Sequence, residues 1–253
     1  MSNLIERGRY RGMWQILHYN IALYACAVFG ICVAWLFFPY AQPVERTVLV
    51  GIGAPSLLWV FSSLVVSHYI YDCSPLYDLN WLRRDLSKVP QRWINLHAGV
   101  DETSRLLSQL FPSASGEILD IHDPQEMTER SIRRARQTRR PAMRSTPASW
   151  RALPIADGTI DAAFLFFVAH ELRRDEARTQ LFRELARVLK SDGEVGVIEH
   201  LRDCANFLAF GPGFLHFFPR SAWLQAATAA GLQVRREQSI TPFVRAFILR
   251  RAI

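Results

Sequence analysis

The chain has 253 residues, half of them hydrophobic and about a fifth charged, with a net charge of +7 carried almost wholly by arginine. This length suits one mid-sized domain with an appendage. The four scattered cysteines (Cys26, Cys32, Cys73 and Cys204) match no disulfide framework or metal-ligand spacing, and no P-loop, nucleophile elbow or zinc motif is present.

From Met13 to Tyr71 the only formal charges are Glu45 and Arg46. Two clean apolar runs, Asn20 to Phe38 and Val48 to Val66, are each long enough at ~1.5 Å per residue to cross a ~30 Å hydrocarbon core. They predict a two-helix transmembrane hairpin with spans about 18–39 and 47–70. Arg7, Arg9 and Arg11 precede it, Arg83, Arg84, Lys88 and Arg92 follow it, and the short link offers Arg46 alone. That asymmetry places both chain ends on the cytoplasmic side of a membrane, a bacterial inner membrane on this reading. Trp14, Tyr19, Trp35, Tyr40, Tyr69 and Tyr71 cluster at the ends as interfacial aromatics. His68 and Asp72 stand where the second run ends, positioned for solvation or for a headgroup or lipid-borne ligand. The chain divides into residues 1–73 and a cytosolic α/β domain, residues 74–253.

Beyond Val89, apolar runs alternate with amphipathic stretches, the pattern of a parallel sheet with crossover helices. Strands are predicted at Arg92–Leu96, Glu117–Ile121, Ala162–Phe167, Glu194–Glu199, Leu232–Glu237 and Val244–Arg250. Helices are predicted at Asp101–Leu110, Pro124–Arg139, Asp175–Leu189 and Ser221–Ala230. In the third helix Ala177, Leu181, Leu185 and Leu189 form an apolar stripe at four-residue spacing. Gly193 and Gly231 are expected as left-handed caps. The last two strands leave no room for a helix and predict an antiparallel pair turning near Ser239–Pro242.

The stretch RALPIADGTIDAAFLFFVAHELRRDEARTQLFRELARVLKSDGEVGVIEH, residues 151–200, resembles the second half of a class I S-adenosylmethionine-dependent methyltransferase. WINLHAGVDETSRLL (93–107) takes the place of that family's first strand, turn and helix, and GEILDIHDPQEM (116–127) that of its second strand. The resemblance runs from about residue 74 to the end and implies a Rossmann-like methyltransferase sheet with S-adenosylmethionine as cofactor. The family's glycine-rich turn corresponds to Asn95-Leu96-His97-Ala98-Gly99-Val100-Asp101. Only Gly99 of its glycines remains, with His97 and Asp101 in the flanking positions and Asn95 in the acidic one. Asp120 takes the place of the ribose-binding carboxylate, with Asp123 as a neighbour and competitor. Ser149 takes the place of the acidic residue near adenine.

Methyl transfer needs alignment and, for some acceptors, a proton acceptor. His170 and Glu171 follow the fourth strand, Glu199 and His200 end the fifth, and His216 lies in the apolar insertion FLAFGPGFLHFFPR. His170, His200 and His216 are the candidate bases; for His170 and Glu171 the plainer alternative is a strand-end cap or salt bridge. The arginine run Arg130, Arg133, Arg134, Arg136, Arg139, Arg140 and Arg144 reads as a solvated or headgroup-facing surface. Two functions stay open. One is methylation of a hydrophobic, membrane-resident small molecule such as a quinone-like ring, phenolic lipid or pigment precursor. The other is a catalytically inactive accessory subunit whose hairpin contacts other membrane-protein subunits. Membrane lipids are partners in both, and nucleic acid in neither.

Overall fold

The computed structural model describes residues 9–99, 101–138 and 143–252. Arg7, Val100, Arg139 and Arg140 lie outside the described residues. In chain order the first elements are helices α1 (Arg11–Tyr19), α2 (Ile21–Phe37), α3 (Pro43–His68) and α4 (Asn80–Asp85). Strand β1 (Arg92–His97), α5 (Ser104–Leu110), β2 (Ser115–Asp120), α6 (Arg130–Thr138) and β3 (Thr146–Pro147) follow. The rest comprises β4 (Ile160–Phe166), α7 (Asp175–Val188), β5 (Leu189–His200), α8 (Cys204–Phe210), α9 (Arg220–Ala229), β6 (Leu232–Thr241) and β7 (Val244–Arg251). Two compact units result. A helical unit holds the chain up to Ser74 together with Asp203–His216, and a sheet unit holds Pro75–Arg202 together with the chain from Phe217 onward.

In the helical unit, α2 and α3 fall where the two apolar runs predict helices, with α1 before them as an element the charge pattern did not signal. The link shrinks because Pro43 starts α3, and Glu45 accepts the Gln42 backbone N–H at 2.7 Å to close a capping box. Both helices are long and apolar enough to cross a membrane by length and composition. No residue of α2 is buried, and Phe29 and Trp35 are 71% and 79% exposed. Tyr24 and Ser63 share a 2.9 Å hydrogen bond between α2 and α3. The apolar insertion, expected within the α/β domain, packs here on α3, where Phe207 meets Trp59 edge-on at 5.5 Å and Phe214 at 5.1 Å. Gly211 sits at φ +54° with its α-carbon against Trp59; a Cβ would stand 2.5 Å from the indole.

The sheet unit carries seven strands in the order β3-β2-β1-β4-β5-β7-β6. β1 to β5 pair in parallel, while β7 runs antiparallel to β5 and β6 antiparallel to β7. The final hairpin turns at Pro242 and Phe243. β4 reads IDAAFLF and is buried from Ile160 to Leu165, as a central parallel strand covered on both faces should be. Leu181, Phe182 and Leu185 of α7 are fully buried in the same hydrophobic core as Ile160, Ala163 and Leu165 of β4.

Among the boundaries that differ from the sequence pattern, three have a local cause. The helix expected from Pro124 begins only at Arg130 and is described to Thr138, because Asp123 turns its carboxylate onto the Gln125 N–H and toward Trp150. The helix expected from Asp101 begins at Ser104, with Asp101 accepting the Ser104 N–H at 2.9 Å. Gly193 is no helix cap: it lies inside β5 at an irregularity opposite Ile160, where a Cβ would meet the Ile160 carbonyl at 2.9 Å. Gly231, at φ +74°, does follow its helix as a left-handed residue.

Asp161 ties the amino ends of the strands together. Its carboxylate accepts the backbone N–H groups of Gln91 and Arg92 and binds both lysines of the chain, Lys190 at 2.8 Å and Lys88 at 3.1 Å. Burial works against its charge, but Lys190, the Arg92 N–H and Lys88 win and hold its pKa at about 2. A carboxyl group depressed in the fold stabilises above its unfolded pKa and loses that contribution as pH falls through the folded value. Asp161→Asn is therefore expected to lower stability at pH 7 by roughly 2 kcal/mol. In thermal unfolding of the full chain followed by near-ultraviolet circular dichroism, the gap to wild type should close between about pH 4 and pH 2. A gap independent of pH would contradict this account.

Candidate functional site

In open parallel sheets, ligands are held beyond the carboxyl ends of the strands, near the reversal of strand order. Here that edge is built by the ends of β1, β2, β4 and β5. After β1 the chain turns through Gly99 at φ +122°, a conformation that favours glycine. The turn is furnished with side chains. Asn95 donates to Thr103 Oγ1 at 3.0 Å and Ser104 Oγ at 2.8 Å, and His97 Nδ1 accepts the Gly99 N–H at 3.1 Å. Burial pushes the His97 pKa down, with Asp101 and Asp120 opposing and Arg136 assisting, so the ring is neutral with its proton on Nε2. That Nε2, Asn95 Oδ1 and Asp101 Oδ2 are buried with no hydrogen-bond partner. Three polar atoms at the end of β1 are thus left for a polar partner to satisfy.

Asp120 ends β2 beside this turn, its Cα in register with that of His97. Both of its oxygens are held by Arg136 Nη1, at 3.0 and 2.9 Å. α6 reaches this point through its spacing: Ile132 and Ala135 are buried, and Arg136 follows on the same face. The arginine stem crosses the glycine, where a Cβ on Gly99 would stand 2.3 Å from Arg136 Cγ. Sequence reasoning placed Arg136 in a solvated run, yet the Ile132, Ala135, Arg136 stripe carried the signal. Asp123 lies apart from this pair; Trp150 Nε1 donates to it at 3.1 Å and Arg151 at 2.7 Å. Ser149 is occupied locally, accepting the Arg151 N–H at 3.2 Å.

The ends of β4 and β5 meet at Glu199. One oxygen accepts the Ala169 and His170 backbone N–H groups at 3.0 and 3.3 Å, and the other holds His170 Nδ1 at 2.7 Å. Glu171 stands 3.5 Å from His170 Nε2. Burial disfavours the imidazolium, but Glu199 and Glu171 outweigh it and raise the His170 pKa to about 10. His170 is thus a protonated donor at neutral pH and offers no lone pair to accept a proton. His200 differs. Its Nδ1 lies 2.9 Å from the Phe243 carbonyl, which only accepts, so Nδ1 carries a hydrogen. The ring is stacked between Phe167 at 4.9 Å and Phe217 at 4.7 Å. Phe167 adopts φ +51°, an uncommon backbone for an aromatic residue, and this stack accounts for it. His216 belongs to the helical unit.

A family model described as "Methyltransferase domain" matches residues 96–197, less than half of the chain. Among solved structures, a SAM dependent methyltransferase from Aquifex aeolicus is 16% identical with a TM-score of 0.51, covering 77% of this chain and 97% of its own. The pyocyanin biosynthetic protein PhzM is 16% identical with a TM-score of 0.57, covering 97% and 74%. The O-methyltransferase NcsB1 of neocarzinostatin biosynthesis, solved with S-adenosylmethionine and 2-hydroxy-5-methyl naphthoic acid, is 17% identical with a TM-score of 0.53, covering 97% and 74%. No curated protein matches the chain. At these identities the likeness establishes the fold: the sheet unit is a Rossmann-like methyltransferase fold.

The His170–Glu199 pair makes its own prediction. A histidine whose pKa is raised in the fold contributes stability that is fully present below about pH 6.5 and is lost as pH rises toward 10. In histidine-labelled protein, the His170 ring should remain protonated at pH 8.5 by nuclear magnetic resonance. In Glu199→Gln the ring should titrate several pH units lower, with a stability loss of about 3 kcal/mol at pH 7 from the broken buried pair. A wild-type His170 titrating near 6.5 would contradict the assigned geometry.

Proposed function

We propose that this chain is an S-adenosylmethionine-dependent methyltransferase, held in a membrane by α2 and α3, that acts on a hydrophobic small molecule. The observation that carries the reading is the pairing of the Gly99 turn with Asp120 at the carboxyl ends of β1 and β2. It lies in a methyltransferase sheet, within the stretch the methyltransferase-domain model matches.

The residues at this edge fit such a cofactor. The chemistry it supplies when bound is an electrophilic methyl group on a sulfonium sulfur. Asp120 has the acceptor oxygens two ribose hydroxyls need, once Arg136 releases them. The Nε2–H of His97 donates toward a carboxylate, and Asn95 Oδ1 and Asp101 Oδ2 accept from an ammonium group. Glu199 and Glu171 flank the single His170 imidazolium, with the Arg173 guanidinium donating to the His170 carbonyl beside them. His200 Nε2 is the proton acceptor of this site; His170 holds Glu199 and Glu171 in place.

The membrane part of the reading rests on the apolar surface of α2 and α3. Contiguous exposure of this kind is rare on a protein surrounded by water. The apolar insertion packed beside Trp59 supports a hydrophobic acceptor. PhzM and NcsB1 come from small-molecule biosynthesis, which agrees with that class. A second reading is favoured by one specific feature, Arg136 lying over Gly99 and gripping Asp120. It describes a protein of this fold that no longer binds the cofactor and serves as an accessory subunit.

Calorimetric titration of the full chain in lipid nanodiscs with S-adenosylhomocysteine separates the two. Binding is expected in wild type. Asp120→Ala should weaken it about 10- to 100-fold, the loss of a hydrogen bond pair to a charged group. Arg136→Ala should strengthen it, because the ligand then displaces nothing. Absence of binding in both wild type and Arg136→Ala would leave the accessory reading standing and remove the enzyme.

A further inference from the structure

A second constellation lies wholly within the helical unit. α3 ends at His68, and the chain continues through one wide π-helical turn, Tyr69–Cys73. The extra residue in that turn gathers His68, Asp72 and Cys73 on one side, and such single wide turns are often found at functional sites. His68 Nδ1 lies 3.0 Å from Asp72 Oδ2, and His68 Nε2 lies 3.4 Å from Cys73 Sγ. Asp72 is buried and fixed from behind, its two oxygens accepting the Gly12 N–H at 2.6 Å and the Met13 N–H at 3.1 Å. The Tyr10 ring packs on His68 at 4.7 Å. The thiol itself is exposed.

The chemistry of each group sets the order of the protons. The Asp72 carboxylate only accepts, so His68 Nδ1 carries the hydrogen and Nε2 turns its lone pair to the thiol. Nucleophile, base and orienting carboxylate thus stand in the sequence that activates a side chain for covalent chemistry. Capping α1 explains Asp72 and a partner for it explains His68. Neither explains an accessible thiol aligned on the other ring nitrogen.

We propose that Cys73 is an activated nucleophile that takes a fatty acyl group from an acyl-coenzyme A thioester. The Sγ proton passes to His68 Nε2 as the sulfur attacks the thioester carbonyl carbon. The carbonyl re-forms as coenzyme A thiolate departs, and that thiolate takes the proton from His68. One thioester breaks and one forms, with no oxidant or reductant. The cationic side of the site suits a polyphosphate carrier, with the Arg9 guanidinium 5.9 Å from the Tyr10 ring. The apolar surface beside it, with half-exposed Val65 of α3 and Tyr69 of the π turn, suits the chain delivered. A cysteine where an apolar helix ends is also where lipid attachment is chemically useful. The choice of a fatty acyl group rests on the membrane reading of α2 and α3; the activation of the thiol does not.

The test uses the full chain in nanodiscs with Cys26, Cys32 and Cys204 replaced by serine. With palmitoyl-coenzyme A as probe, intact mass spectrometry should show one hydroxylamine-labile palmitoyl group, absent in Cys73→Ser. His68→Gln should slow its formation about 100-fold or more. Alkylation of the same thiol by chloroacetamide, followed against pH, should shift in His68→Gln to the profile of an ordinary cysteine. Because that probe needs neither membrane nor acyl chain, it keeps the outcomes apart. Equal rates in wild type and His68→Gln with both probes would overturn the proposal. Alkylation that depends on His68 without palmitoylation would overturn the acyl assignment. A chain that fails to float with vesicles yet keeps His68-dependent alkylation would overturn the membrane reading and leave the activated thiol in place.

Discussion

The carboxyl edge of the sheet is organised by one carboxylate. Glu199 ends β5 and captures two backbone N–H groups and an imidazole from the loop after β4. Without it, Ala169 and His170 would carry buried donors with nothing to accept them, at a cost of about 1–3 kcal/mol each. The same carboxylate keeps His170 protonated, and His170 in turn faces Glu171. One residue therefore sets the path of the loop, the charge of the histidine and the position of the second acid. Because two neighbouring parallel strands supply the parts, the arrangement is as rigid as their ladder, which runs unbroken from Ala162 to Phe166.

At β1 and β2 the edge is held in a different manner. Arg136 reaches Asp120 from a helix docked by two small apolar contacts, Ile132 and Ala135. A side-chain grip of this kind exchanges partners readily, since an ion pair open to water contributes about 0–1 kcal/mol. The site thus joins a rigid half at β4 and β5 to an exchangeable half at β1 and β2. The Arg136 grip also accounts for a turn with a single glycine: with Arg136 lying across Gly99, bareness at this one position is what the geometry demands.

Much of this was legible in the residues. β4 announced itself by an unbroken apolar run, the second half of β5 by Val195–Ile198, α7 by its four-residue stripe, and the final hairpin by the lack of room for a helix. The placement of Asp120 at the end of β2 and of His170 and Glu199 at neighbouring strand ends followed from the same pattern. What did not follow were contacts set by tertiary position. Asp120 and Arg136 are sixteen positions apart, and only the docking of α6 through Ile132 and Ala135 brings them together. The protonation of His170 depends on two acids, Glu199 at the end of β5 and Glu171 in the turn after β4, which a list of strand ends does not rank. His68 and Asp72 keep the ordinary four-residue spacing, but Cys73 joins His68 at five, and the π turn that brings it in is invisible to a period of 3.6. Gly193 misled for the opposite reason: a glycine after a helix reads as a cap, but here the strand begins earlier and the glycine serves a close approach to Ile160.

The insertion between β5 and α9 shows how a local composition acquires a structural consequence. Residues 203–216 leave the sheet unit and fold with the helical one, where Gly211 lets the backbone lie on Trp59. Their two stems remain fastened to each other on the sheet side. The Arg202 N–H donates to the Phe218 carbonyl at 2.9 Å, and the Arg202 guanidinium to that of Phe217 at 2.8 Å. A loop pinned at its base pays little further closure entropy, so a run of apolar residues can be displayed there without loosening the sheet. Phe217, the first residue back, is also one of the two rings enclosing His200. The other, Phe167, accepts an unfavourable backbone conformation to complete the stack. Both rings that enclose His200 thus belong to the sheet unit, one from the end of β4 and one from the stem that follows the insertion, so the imidazole is fixed by the sheet's own residues.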